Sequence, residues 1–227
     1  MNIKKVLKLL FCQLNLFKTV YFNFKYFPFN TAIRFPVLIY HRTSLNKVKG
    51  AIKLNVPPKF GLVKIGLLGL GFQDTRYSRT IWEVNGTVVV NGMTVIGRGS
   101  KISIAKNATL ILGKRFTISG SSDIFCQKEI RFGDDCLLSW DILIMDTDFH
   151  KIANRYGVIV NTPLPINIGN HVWICCRNTI LKGVTIPDNS VIAANSTITK
   201  SISEKNCVIG GKGKDTIILK RNIDWWT

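Results

Sequence analysis

The sequence predicts an all-β solenoid of six-residue repeats, with a basic helical segment in front and a short extension behind. Three observations carry that expectation. Isoleucine stands at 168, 174, 180, 186, 192 and 198, six times at one period, in a chain with 29 isoleucines among 227 residues. Such a run has a chance on the order of one in a thousand of arising at random in a chain of this size. Four positions after each isoleucine come Val172, Asn178, Val184, Ser190, Ser196 and Ile202, mostly small or β-branched. The pattern also continues upstream with slips of two: Ile96 and Ile102, Ile104 and Leu110, then Leu112, Ile118, Ile124 and Ile130, then Phe132, Leu138 and Ile144. A slip of two keeps side-chain parity, so an inward residue stays inward. Neither the helical period of 3.6 nor simple strand alternation produces a period of six. A three-sided coil does, with one hexad to each short side.

The elements follow in chain order. Ile3, Val6, Leu7, Leu10, Leu14 and Phe17 recur at helical spacing, with Lys4, Lys8 and Asn15 largely elsewhere on the wheel. Two uses fit this stripe: packing on the body or a neighbouring subunit, or lying on an anionic membrane surface with help from Tyr21, Phe22, Phe24, Tyr26, Phe27 and Phe29. Pro28, Pro36, Pro57 and Pro58 end any helix by about residue 27. Ile52–Leu54 and Leu62–Ile65 read as short strands. The expected organisation is a lead-in over 1–84, a solenoid over 85–202 and an extension over 203–227. The hexad pattern lapses between Ile144 and Ile168, so residues 145–165 read as a loop thrown out of the coil, where function tends to concentrate.

Charge is unevenly placed. The net charge is +18, yet the first acidic residue is Asp74, and twelve basic residues precede it, Lys4 through Lys64. An anionic partner is expected: anionic lipid, polymer or a phosphate-bearing small molecule. Nucleic acid is not, because no zinc finger, RNP motif or recognition-helix pattern accompanies the charge. Cys12, Cys126, Cys136, Cys175, Cys176 and Cys207 show no C-x2-C spacing, which reads as free thiols in a reducing cytoplasm. Neither a secretory signal nor an apolar run of transmembrane length is expected from the pattern.

The segments Ile168-Gly-Asn-His-Val-Trp-Ile174, Ile180-Leu-Lys-Gly-Val-Thr-Ile-Pro-Asp-Asn-Ser-Val-Ile192 and Ala193-Ala-Asn-Ser-Thr-Ile-Thr-Lys200 resemble the left-handed β-helix hexapeptide-repeat acyltransferases. Val20-Tyr-Phe-Asn-Phe-Lys-Tyr-Phe-Pro28 and Arg34-Phe-Pro-Val37 resemble the branch that O-acetylates capsule and lipopolysaccharide. The resemblance implies a left-handed parallel β-helix, acetyl-CoA as donor, no metal, a homotrimer and active sites between neighbouring solenoids. It also implies a histidine general base, which takes the acceptor's proton as its oxygen attacks the thioester.

Three histidines compete for that role. His150 lies in Met145-Asp-Thr-Asp-Phe-His150 at the start of the interrupting loop. In an extended segment Asp146, Asp148 and His150 share one face, and either carboxylate can orient the imidazole. The family places its base in a matching Asp-x-His segment, which selects His150. His171 and His41 are expected to be structural, and three histidines at this spacing do not make a zinc carbonic anhydrase. On the donor side the resemblance assigns Trp173 beside the coenzyme channel, Ala193 and Ala194 along the pantetheine arm, Thr199 with Lys200, and Lys214 near the phosphates. The chain departs from the family at Cys175-Cys176, where Cys175, at a donor-site position, narrows the channel or packs as a small hydrophobe, and at Gly210-Gly-Lys-Gly-Lys214.

The function expected is acetyl-CoA-dependent O-acetylation of a sugar hydroxyl in a bacterial envelope polysaccharide or its precursor. It is placed in the cytoplasm, free or peripherally on the inner face of the membrane. N-acetylation of an amino-sugar nucleotide and a non-catalytic scaffold in envelope assembly are the alternatives.

Overall fold

A computed structural model describes residues 13–67, 70–74 and 76–226. Its amino-terminal helix α1 (Leu16–Tyr26) starts at Asn15, whose side chain accepts from the Lys18 amide at 3.0 Å. That cap divides the expected stripe. Ile3, Val6, Leu7 and Leu10 lie outside the described residues, Leu14 bridges to Tyr40, and Phe17 is 91% exposed on the new helix. Pro28 ends α1, a single turn α2 (Phe29–Ala32) follows, and the chain enters the coil.

Each of the first six turns of the coil contributes one strand to each of three sheets, and the last two contribute to the first and second only. The first turn is β1 (Val37–Ile39), β2 (Thr43–Val48) and β3 (Ala51–Leu54), and the second is β4 (Val63–Leu67), β5 (Thr80–Val84) and β6 (Thr87–Val90). The first sheet runs β1, β4, β7 (Thr94–Gly97), β10 (Phe116–Ile118), β13 (Leu137–Leu138), β16 (Trp173–Ile174), β19 (Val191–Ile192) and β21 (Cys207–Gly210). The second runs β2, β5, β8 (Lys101–Ile104), β11 (Asp123–Cys126), β14 (Leu143–Met145), β17 (Thr179–Leu181), β20 (Thr197–Ile198) and β22 (Lys212–Gly213). The third runs β3, β6, β9 (Thr109–Leu112), β12 (Glu129–Phe132), β15 (Ile166–Ile168) and β18 (Thr185–Ile186). These pairings are parallel; β23 (Ile217–Arg221) closes the first sheet antiparallel to β21.

The isoleucine ladders are literal. Ile96, Ile118, Leu138, Ile174, Ile192 and Ile209 stack in register on the first sheet. Trp82, Ile102, Ile124, Ile144, Ile180 and Ile198 stack on the second. All of these side chains are buried. Corners need left-handed backbone, and they recur in two files: Arg115, Asp135, His171 and Asn189 before the first sheet, and Ser121, Asp141, Arg177 and Asn195 before the second. Asp and Asn tolerate that region through local hydrogen bonds. In the first file the residue just before the left-handed one bonds up the stack, Asp134 accepting from the Lys114 amide, Asn170 from Asp134 and Asp188 from Asn170, each at 2.8 Å.

Strand pairing carries the coil further than isoleucine spacing does. The stack starts at Val37 rather than near residue 85, and the segment expected as an extension adds β21 and β22 to it. The early turns escape the hexad pattern because long connections separate their strands, including Asn55–Leu62 with its two prolines. Helix α1 closes the open end. Asn23 donates to the Val37 carbonyl at 2.7 Å and accepts from its amide at 3.1 Å, and Thr19 accepts from the Ile39 amide at 3.0 Å. The free edge of β1 is thereby hydrogen-bonded, which removes a template for pairing with other chains. Phe22 packs edge-on against Trp82, whose indole N–H donates to the Tyr26 hydroxyl at 3.0 Å.

Candidate active site

Residues 146–165 leave the coil between β14 and β15, at the corner joining the second and third sheets. Asp146 turns inward at the root of this loop. Fully buried, it accepts from the Gln127 and Lys128 amides at 2.7 Å each and lies 3.5 Å from the Cys126 sulfur. Burial, and then the Asp146 carboxylate, push the Cys126 thiol well above its ordinary pKa, so it stays protonated. Asp146 is thus a structural anchor, and the expectation that it orients His150 is corrected.

The extended geometry assumed for Asp146-x-Asp148-x-His150 does not form. Phe149 adopts φ +60° and the His150 amide donates to the Asp148 carbonyl at 2.7 Å, a tight turn that breaks strand parity. Asp148 pairs with Lys182 and accepts from the Asn161 amide group at 2.9 Å. Lys182 first, then Asn161, hold its carboxyl below the usual carboxylate range. The same Asn161 amide group donates to the His150 carbonyl at 2.8 Å, and its oxygen accepts from Ile152. Asp148 therefore touches His150 through their shared turn and Asn161, and the hydrogen bonds that fix His150 are all to its backbone. The imidazole is exposed. Sequence reasoning missed Asn161 and Lys182; an asparagine among Val158, Ile159 and Val160 was the one available signal.

The donor-side residues occupy two corners flanking the second sheet. At one, Cys175-Cys176 and Ala193-Ala194 stack in successive turns: the Cys175 amide donates to Ile192 at 3.0 Å and the Asn195 amide to Cys176 at 3.1 Å. Burial, then the neighbouring Cys176, pushes the Cys175 thiol up to about 11, so it serves as a small neutral side chain and not as a nucleophile. Ala194 is exposed. At the other corner, the one that launches the loop, Thr199, Lys200 and Lys214 come together, with the Lys200 ammonium donating to the Lys214 carbonyl at 2.9 Å. Both lysines are exposed. On the turns before them a groove of about 520 Å³ opens at the corner where the chain enters the second sheet, with Lys101, Asp123, Asp141 and Arg177 in its walls.

Trp173 lies apart from these, on the outer face of the first sheet. Its indole donates to Ser139 at 3.0 Å and its ring sits 5.9 Å from Trp225. His171 is stacked on Trp225 at 4.2 Å and bonded to its carbonyl at 2.8 Å, a structural role as expected. His41 lies at the amino-terminal end of the coil, in a groove with Lys18, Arg42 and Arg79.

Residues 165–200 match the family model described as bacterial transferase hexapeptide (six repeats). The chain is 37% identical over 138 residues to a probable macrolide acetyltransferase of Lysinibacillus sphaericus, covering 56% of this chain and 70% of that protein. It belongs to the hexapeptide-repeat acyltransferases. A polysialic acid O-acetyltransferase of Neisseria meningitidis is 36% identical over 87 residues, 37% of this chain and 40% of that one. The solved structure of the polySia-specific acetyltransferase NeuO superposes with a TM-score of 0.55 at 19% identity, over 85% of this chain and 79% of that chain, which establishes the left-handed β-helix. As an acyltransferase of this family, the protein uses acetyl-CoA as its co-substrate, and no metal-binding cluster occurs among the described residues.

Proposed function

We propose that this hexapeptide-repeat acyltransferase moves an acetyl group from acetyl-CoA to a sugar hydroxyl of an envelope polysaccharide or its precursor, with His150 as general base. The observation that carries this reading is the loop 146–165. Its backbone is fastened to the coil by Asp146, Asn161 and the Asp148–Lys182 pair, while the His150 imidazole is left exposed. A base needs a fixed position and a free ring nitrogen, and this arrangement supplies both. The acceptor hydroxyl gives its proton to His150 as its oxygen attacks the thioester carbonyl; collapse expels the coenzyme sulfur, which takes that proton. Asp148 is a positioning residue acting through Asn161 and the turn.

Ala193, Ala194 and Cys175 would line the pantetheine arm, Thr199 would lie beside it, and Lys200 and Lys214 would meet the phosphates. The groove at the corner entering the second sheet supports a polar acceptor, because the Lys101–Asp123 pair with Asp141 and Arg177 suits sugar hydroxyls. The similarity to a polysialic acid O-acetyltransferase favours a saccharide. A homotrimer fits the exposed apolar side chains of the loop, among them Phe149, Ile152, Tyr156, Val158 and Val160, which a neighbouring solenoid would cover. Trp173, remote from Lys200 within one chain, would then complete a neighbour's donor channel. The basic amino-terminal third supports peripheral contact with an anionic membrane from the cytoplasmic side.

Calorimetric titration of acetyl-CoA into protein kept reduced tests the donor half. Saturable binding, weakened in Lys200→Ala, is expected; no binding to folded protein at millimolar acetyl-CoA would refute it. Acceptor screening with His150→Ala as the control then tests the base, and sedimentation should give about three times the 25.5 kDa chain mass.

A further inference from the structure

Helix α1 is inside out. Its buried positions are Thr19, Phe22 and Asn23, two of them polar and spent on the edge of β1. Its outward face carries Phe17, Val20, Tyr21 and Phe24, which are 91%, 46%, 52% and 44% exposed, and Phe29 beyond it is 72% exposed. An apolar stripe of this length turned to solvent marks an interaction surface. At the same end of the coil, a groove of about 490 Å³ is lined by Lys18, His41, Arg42, Thr43, Ser44 and Arg79. No carboxylate lines it, and none of the nine ion pairs among the described residues uses Lys18, Arg42 or Arg79.

We infer that this end of the β-helix is a binding site for a phosphate-bearing anionic lipid: Lys18, Arg42 and Arg79 take the headgroup phosphate, and Phe17, Tyr21 and Phe24 enter the bilayer interface. This deepens the proposed membrane association and rests on it. Charge complementarity selects the occupant. Basic residues flanking an aromatic face are the composition of an interfacial helix on anionic lipid. A soluble polyanion would engage the cations and leave the aromatic stripe without a role. A second copy would set like charges against each other, since no acidic residue precedes Asp74 to pair with them. The site is distinct from the transfer site. Between β2, beside the groove, and β14, which launches the His150 loop, lie four strand steps, or about 19 Å at sheet spacing.

Flotation of the full-length protein with vesicles tests this. The vesicles are phosphatidylcholine alone, or phosphatidylcholine with phosphatidylglycerol, at low and high salt. Binding to the anionic vesicles alone, weakening with salt, is expected for wild type. Arg42→Gln/Arg79→Gln should weaken it by roughly 25-fold, about fivefold per cation removed. Phe17→Ser/Tyr21→Ser should weaken vesicle binding while leaving titration with glycerol phosphate unchanged, and Arg131→Gln on the third sheet should bind as wild type does. All five exposed substitutions should leave the melting temperature in place. If the double arginine variant binds vesicles like wild type, this site assignment falls and the membrane reading survives. If wild type ignores anionic vesicles, both fall. Glycerol phosphate binding without vesicle binding would overturn the lipid source, and self-association abolished by Phe17→Ser/Tyr21→Ser would make the occupant a second copy.

Discussion

The two ends of the coil solve the same packing problem differently. From β15 to β20 the turns repeat every 18 residues, as from Ile174 to Ile192, each side is one hexad, and the interior is a column of isoleucines. From β1 to β6 two long connections, β3 to β4 and β4 to β5, interrupt the turns, the second-sheet ladder is filled by Trp82, and a helix closes the end. Regular turns need only their neighbours, because each rung presents the same shape to the next. The first turn has no preceding rung, so it depends on side chains that imitate one: Asn23 and Thr19 bond the edge of β1, and Phe22 with Tyr26 covers Trp82.

Breaking the cap should therefore cost as much as breaking the column. Trp82→Ala is expected to destabilise by roughly 3–5 kcal/mol, by cavity formation and loss of the Tyr26 partner, and Ile180→Ala by roughly 2–5 kcal/mol. Equilibrium denaturation of both variants checks this; a Trp82→Ala cost under that of Ile180→Ala would show that the amino-terminal turns are a dispensable annex. Asn23→Ala should cost about 1–3 kcal/mol, since it leaves the Val37 amide and carbonyl buried without partners.

The loop sharpens the contrast between structural and chemical residues. His150→Ala should lower turnover by roughly a hundredfold or more with an unchanged melting temperature. Asp146→Ala should reduce both, with a stability loss of about 1–3 kcal/mol for two buried amides left unpaired. A variant at Asp146 that loses activity alone would return that carboxylate to the base. The smallest effect concerns pH. Lys182 and Asn161 depress the Asp148 pKa, so its stabilising contribution is present above the unfolded value near pH 4 and fades as pH falls through the lower folded one. The side chain is 40% exposed, which limits the contribution to under about 1 kcal/mol. The difference in melting temperature between pH 7 and pH 3 should shrink slightly in Lys182→Met.

How far each site was legible follows from what kind of pattern it obeys. A period of six is a one-dimensional signal, and it placed the ladder residues and the interrupting loop without coordinates. The assignment of His150, Lys200 and Lys214 rests on the family motif and stays part of the proposed function. Asp146 and Asp148 share a residue type and a two-residue spacing with His150, yet one is buried on backbone amides and the other is paired to Lys182. The left-handed turn at Phe149 separates them, and a bulky side chain there gives no warning of it.

Composition and periodicity alone therefore determined that this chain is a β-solenoid, that its charge is concentrated at the front and that a loop breaks the coil. Those properties depend on residue type at fixed spacing, which every turn repeats. The tertiary structure decided where the coil begins, which carboxylate is an anchor, and which face of α1 is turned outward. Each of these depends on hydrogen-bond partners far away in sequence, such as Val37 for Asn23 and Gln127 for Asp146, and spacing carries no record of them.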